Sequence, residues 1–598
     1  MSSGSVPERS EVAPEYKWDL ESIYATDDDW ERAYESVQDR LDDLRAYDGR
    51  ATDDGEALLA ALETRDEVMR TVDTVTAYAR MRSDEDTRDQ RHQALRARAQ
   101  SLAADASSAA SFLEPAIQSL ERYELEAFLE ETPGLETYEH YLDDVMRLKP
   151  HTRSAEVERL LSELSEVLGA PGEAYSMLTD ADMAFPTVEA PDGESVEITQ
   201  SNFTTLLKRS DRDFRQTVYE AFYDEFDTVR NTVGTTLKHS VKTDVKLAHA
   251  RGYEGALEAA LDGPNVPVAV YDTLVETVRD NLGALHRHVE LKRDALDVDL
   301  LEMWDLYAPM AAGESPTVPY EDATEYVVDA LEPLGADYQR RVREGLDARW
   351  VDVYENRGKR SGAYSGGTYD THPFVLMNYQ DDITSMYTLA HELGHSLHSQ
   401  YASENQPYVD ADYEIFVAEV ASTVNETLLT HHLLDAVEDD RFRRHVLDEY
   451  LERFRSTLFR QTMFAAFERE IHDLAEAGEA LTPDRFDEEY GDLKAAFYEP
   501  AHVDDFIDTE WMRIPHFYYN FYVYQYATGI SAAVAIVDRI LSNGETAAAD
   551  YRDALKMGGS AYPLEVLDRA GVDMADSAPV VRAIDVYRDY LDEMATLV

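Results

Sequence analysis

From Lys17 to about Asp180, apolar residues recur at three- and four-residue spacings, the pattern of amphipathic helices. Ala57 to Glu63, Val72 to Arg82, Ala94 to Phe112 and Val157 to Leu168 carry it most clearly. The period changes within residues 185–199, where two alternating runs flank Pro191, Asp192 and Gly193 and predict a hairpin. Ser201 or Asn202 is placed to cap the next helix. Helical spacing then continues to about Asp299, broken at residues 262–267. The change of pattern divides the chain into an N-terminal helical domain, residues 1–195, and a larger domain, residues 196–598.

Further on, a glycine-rich segment from Ser361 to Asp370 precedes an apolar run from Pro373 to Tyr379. That run predicts a strand, and its position suggests an edge on which an extended peptide could pair through its backbone. Asp381, Asp382 and Thr384 then suit a helix start. Ile383, Met386, Leu389, Leu393 and Leu397 give that helix one apolar face.

The same helix carries His391-Glu392-Leu393-Gly394-His395. Residues four apart share a helix face, so two imidazoles can meet one ion, most often zinc, with Glu392 beside them as a general base. Gly394 is costly inside a helix and predicts another backbone pressed against it. A catalytic zinc takes a third protein ligand. The chain has no cysteine, so that ligand must be nitrogen or oxygen. His398 lies two turns from His391, and the adjacent His431 and His432 point apart and read as surface or packing residues. In the apolar stretch Ile415 to Glu426, the residues Glu419, Ser422, Thr423 and Glu426 form a polar line. Glu419, set among Val417, Ala418, Val420 and Ala421, needs a positive partner and is the expected third ligand. Glu404 and Glu414 are alternatives in more polar surroundings. Glu426 is expected behind a ligand histidine, orienting it through its other ring nitrogen.

Composition narrows the partners. Hydrophobic residues make up 44% of 598, as in globular chains. No run of 18 apolar residues occurs, and the first ten residues lack the apolar core of a secretory signal, so a cytoplasmic location is expected. The net charge of −66 argues against a nucleic-acid backbone or an anionic membrane as partner. Such self-repulsion is screened in concentrated salt, so a high-salt cell is expected.

Twenty-three residues, 396–418, separate His395 from Glu419. This arrangement resembles the gluzincin metallopeptidases, in particular the thimet oligopeptidase group and, within it, the oligoendopeptidase F family. Further stretches carry the resemblance: Tyr16 to Leu20, Gly362 to Ser365, Phe374 to Tyr379, Phe416 to Thr423, Ile514 to Tyr518 and Gly558 to Pro563. The resemblance implies a mainly α fold in which two helical halves flank a deep channel, with a small β-sheet near the active site. It implies one Zn2+ per chain on His391, His395 and Glu419, with Glu392 handling protons. The implied reaction is hydrolysis of internal bonds in short peptides. It also implies that His516 and Tyr522 contact the attacked carbonyl. Tyr524 and Tyr526 are the other candidates in that run, and Gly529 stands where a second tyrosine is expected. Two rival readings remain: a zinc carboxypeptidase or dipeptidyl carboxypeptidase, which needs a cationic group for the free C-terminus, and a non-catalytic peptide-binding protein with structural zinc.

Overall fold

The computed structural model describes residues 6–313 and 315–598. The principal helices are α1 (Asp27–Arg45), α2 (Gly55–Glu85), α3 (Gln90–Ala110), α4 (Ala155–Met177), α5 (Arg212–Arg251), α6 (Ile383–Asn405), α7 (Ile415–Ala436), α8 (Arg460–Glu476) and α9 (Tyr524–Asn543). Strands β1 (Thr187–Glu189) and β2 (Ser195–Glu197) form one sheet, and β3 (Val351–Asp352), β4 (Tyr364–Gly366) and β5 (Phe374–Leu376) another. The fold is mainly α, as the sequence predicts. Among the described residues no helix is long and apolar enough to cross a membrane.

The chain forms two units, each drawn from separated segments. The first comprises residues 6–149, 315–436 and 536–572; the second comprises 150–313, 437–535 and 573–598.

In the first unit, α1, α2 and α3 start on capping side chains, Thr26, Asp54 and Asp89, which accept otherwise unpaired backbone N–H groups. They bury Trp30, Leu44, Val75 and Leu102 against one another. Trp18 joins this core and meets Phe374 of β5 edge-on, while its indole N–H donates to Glu85 at 2.8 Å. Asp352 on β3 is buried, and Arg9 and Lys359 neutralise it at 2.5 and 2.7 Å. The small sheet is thereby anchored to the N-terminal segment.

That sheet has the order β3-β5-β4, with β5 parallel to β3 and antiparallel to β4. The run at residues 373–379 therefore supplies the central strand, not the edge expected for it. Phe374, Val375 and Leu376 are all buried, and a strand covered on both faces needs an unbroken apolar run. The glycine-rich β4 is an edge strand instead.

In the second unit, β1 and β2 make the expected hairpin, with Val188 opposite Val196 and Gly193 in the left-handed region at φ 84°. Asn202 stands at the start of the next helix, but its side chain turns back, accepting from the Thr199 N–H and donating to the Glu197 carbonyl. A fully buried carboxylate, Glu510, receives Lys494 and Arg460 at 2.7 Å and the Tyr490 hydroxyl at 2.6 Å. Burial opposes its charge, yet Lys494 and Arg460 hold its pKa well below the usual carboxylate range. This network fixes the turn Ile507–Arg513, which leads directly to His516.

Candidate active site

In the first unit, α6 begins at Asp382, whose carboxylate accepts from the Ser385 N–H at 2.7 Å. Its apolar stripe, Ile383, Met386, Leu389, Leu393 and Leu397, is buried. Gly394 is where α6 meets α7. A Cβ added there would lie 2.6 Å from both the Ala421 carbonyl oxygen and the Ser422 Cα. The two backbones touch as the glycine predicts, and Asn425 ties them further by donating to the Ala390 carbonyl at 3.1 Å.

This approach brings His391, His395 and Glu419 together. The two Nε2 atoms lie 3.1 Å apart, and Glu419 Oε2 lies 3.6 Å from His391 Nε2 and 3.9 Å from His395 Nε2. Metal–ligand bonds of about 2.0–2.1 Å in tetrahedral array would set such atoms about 3.4 Å apart. The donor set therefore fits one ion, and the three residues could hold a metal. Glu426, almost fully buried, meets His391 Nδ1 at 2.7 Å. That contact leaves Nε2 directed at the other two donors.

The electrostatics agree with the geometry. Burial pulls His391 down, but the charge and hydrogen bond of Glu426 outweigh it, and the ring is more basic than usual. Burial takes His395 down to about 3, so it presents an unprotonated nitrogen. Burial also lifts Glu392 up to about 7, against the attraction of His391 and the Ser365 backbone amide. Next to Glu392, Ser396 Oγ meets Ser365 Oγ at 2.8 Å, which fastens α6 to the edge strand β4. His398 is buried and stacks on Tyr413 at 3.6 Å, apart from this group. Glu404 is paired with Arg341 at 2.8 Å. His431 and His432 are half-buried further along α7.

The loop ahead of α7 is held by two glycines from the third segment of this unit. The Gly559 N–H donates to the Asp410 carbonyl at 2.8 Å. A Cβ on Gly558 would meet the Asp410 oxygen at 2.4 Å, and one on Gly559 the Asp412 oxygen at 2.3 Å.

In the second unit, His516, Tyr522 and Tyr526 form a half-buried aromatic cluster. Ring centroids are 6.3 Å apart for His516 and Tyr522, 6.0 Å for His516 and Tyr526, and 5.4 Å for the two tyrosines. Burial, and then Arg460, lower the pKa of His516, favouring the neutral ring. Tyr524 is buried against Tyr271, so it is not available to a ligand. Asn520 and Phe521 both lie in the left-handed region, at φ 40° and 58°, a costly conformation for such residues. Glu468 on α8 secures it by accepting the Phe521 N–H at 2.6 Å. Sequence reasoning passed over Glu468. Its signal was a lone carboxylate among Phe464, Phe467 and Ile471, of the kind that singled out Glu419.

Comparison with known proteins agrees with this picture. Residues 205–586 match Peptidase family M3 and residues 117–185 match Oligopeptidase F. Oligopeptidase PepF of Bacillus subtilis (strain 168) is 43% identical over 596 residues, 100% of this chain and 89% of that protein. Group B oligopeptidase PepB of Streptococcus agalactiae serotype III (strain NEM316) is 40% identical over 99% of this chain and 98% of that protein. The crystal structure of oligoendopeptidase-F from Enterococcus faecium superposes with a TM-score of 0.74 at 35% identity, covering 96% of this chain and 99% of that one. With a donor triangle beside a buried glutamate and relatives that span its whole length, the chain belongs to peptidase family M3, in its oligoendopeptidase F group.

Proposed function

We propose that the protein is a zinc-dependent oligoendopeptidase that hydrolyses internal bonds of short peptides. The observation that carries this reading is the convergence of His391, His395 and Glu419 within one ion's reach, with Glu392 buried alongside. These three side chains would hold the zinc. Once bound, zinc would act as a Lewis acid and bring the pKa of water down to about 7.

The protein's own groups then divide the work. Glu392 takes the proton of the attacking water and passes it to the leaving amine, and its raised proton affinity suits both transfers. Glu426 fixes His391 in one tautomer. The edge strand β4, fastened to α6 through Ser365 and Ser396, supports backbone pairing with an extended peptide. His516 and Tyr522 are assigned the donors to the carbonyl oxygen. The cluster they form and the buried carboxylates Glu468 and Glu510 that brace their segment support that assignment. The reading of residues 1–195 as an N-terminal oligoendopeptidase F-type domain and 196–598 as the catalytic domain is supported by where the two family matches fall. A cytoplasmic location accords with this function.

The test uses quenched peptides blocked at both ends, with products identified by mass. Internal cleavage that is lost on chelation and restored by zinc is expected. Glu392→Gln should keep the metal and lose turnover by orders of magnitude, and Tyr522→Phe should lower kcat more than it raises KM. Cleavage confined to free C-termini, or full turnover in Glu392→Gln, would refute the assignment.

A further inference from the structure

A cavity of about 900 Å³ lies within the first unit. One wall is a stripe of α2: Arg65, Met69, Val72, Asp73, Thr76 and Arg80 recur at helical spacing along it. Other lining residues are chain neighbours of the metal group. Gly366 ends β4, Ser399 and Gln400 stand about one turn beyond His395 on α6, and Ala418 immediately precedes Glu419.

Arg80 is unusual in this setting. Among the described residues it has no hydrogen-bond or carboxylate partner, and its Nε is shut off from solvent. The carboxylate one turn along, Asp84, is already taken by Arg96, Arg360 and the Tyr364 hydroxyl. The Arg80 guanidinium instead lies over the Tyr364 ring at 5.2 Å, with Nη2 2.9 Å from where a Cβ on Gly366 would stand. A chain with 121 acidic and 55 basic side chains has carboxylates to spare, and this cation has none. Thr76, one turn before Arg80, and Gln400 also line the cavity, and Thr76 Oγ1 and Gln400 Oε1 are buried without hydrogen-bond partners. An arginine on a cavity wall with no carboxylate partner is a candidate cation for an anionic ligand. Of the other charged residues on the lining, Asp412 accepts the Tyr413 N–H at 3.0 Å. Arg65 is paired with Asp66 at 2.7 Å, and Asp73 accepts the Tyr408 hydroxyl at 2.6 Å. Asp73 is two turns from Arg80, about 10 Å along the helix.

We propose that this cavity is a subsite for a carboxylate of the bound peptide, with Arg80 as its cation and Thr76 beside it. The inference rests on the peptidase reading above and deepens it. The cavity is lined by Gly366 of β4 and by chain neighbours of His395 and Glu419, so a peptide paired along β4 would bring either its C-terminal carboxylate or an acidic side chain to Arg80. Arginine matches a carboxylate with two parallel N–H donors.

The test is a binding measurement, so it does not depend on turnover. A short labelled peptide of neutral residues is titrated, as free acid and as amide, against the zinc-loaded Glu392→Gln chain. A second series moves one glutamate along the amidated peptide, with glutamine as the control. Wild-type Arg80 should favour the carboxylate form by roughly 10- to 100-fold in one of the two series. Preference in the first series identifies the free C-terminus as the source, and preference in the second identifies a side chain. Arg80→Gln should abolish the preference, so that acid and amide forms bind alike, whereas Arg80→Lys should restore part of it. Equal binding of all forms by the chain with Arg80 intact, a preference that survives Arg80→Gln, or no peptide binding at all would overturn the proposal. Absence of cleavage in the parent enzyme would instead count against the peptidase reading alone.

Discussion

Replacing Gly394 with alanine tests how closely α6 and α7 must approach to assemble the donor triangle. In an open helix this change would stabilise by about 1 kcal/mol. Here the new Cβ would sit 2.6 Å from two backbone atoms of α7 and 2.9 Å from a third. Carbon contacts relax only near 3.5 Å, so the helices must part by roughly 0.9 Å. Overpacking of this kind costs about 1–3 kcal/mol, and its upper end applies because no side chain can rotate away. The net loss is then about 1–2 kcal/mol, a fall in Tm of about 2–5 °C for a unit of this size. The same displacement carries Glu419 away from imidazoles already 3.6 and 3.9 Å distant, so zinc affinity should fall as well. Thermal melts of the metal-free protein and zinc competition against a chelating indicator measure the two effects. A variant as stable as the parent, with unchanged zinc affinity, would refute the reasoning.

Three further outcomes are expected. Glu426→Gln removes the anionic partner of His391 Nδ1 and should weaken zinc binding about 10- to 100-fold in the same competition assay, with little change in Tm. Burial raises the Asp410 carboxyl to about 6. Between about pH 4 and 6 the folded chain keeps a proton that the unfolded chain releases, so this group's contribution to stability falls as pH rises through that window. Asp410→Asn should remove that component, seen as the difference between the two proteins in the slope of Tm against pH. With a net charge of −66, Tm should climb steeply as KCl is raised towards molar concentrations, where the Debye length is about 3 Å. Full stability in very dilute buffer would contradict the salt-adapted reading.

The metal group was legible because its chemistry is written locally. Two histidines on one turn, a glutamate within an apolar helix and a glycine where none belongs each left a mark. Gly394 even announced the neighbouring backbone, though not which one. What the sequence could not give was pairing. The run at residues 373–379 reads as a strand, but whether it lies at the edge or the centre depends on β3 and β4, which local pattern does not reveal. Trp18 and Asp352 matter through partners hundreds of residues away. Arg80 sits in a stripe that looks like any amphipathic helix, and only the packed structure exposes its lack of a carboxylate.

The glycine pair at 558 and 559 sets a timetable. A ribosome that has released Glu419 must add 140 further residues before Gly559 can close on the Asp410 carbonyl. At about 5–20 residues per second, that is roughly 7–28 s during which the nascent loop ahead of α7 lacks this glycine clasp. The corner that carries Glu419 is therefore finished well after its own residues have been made.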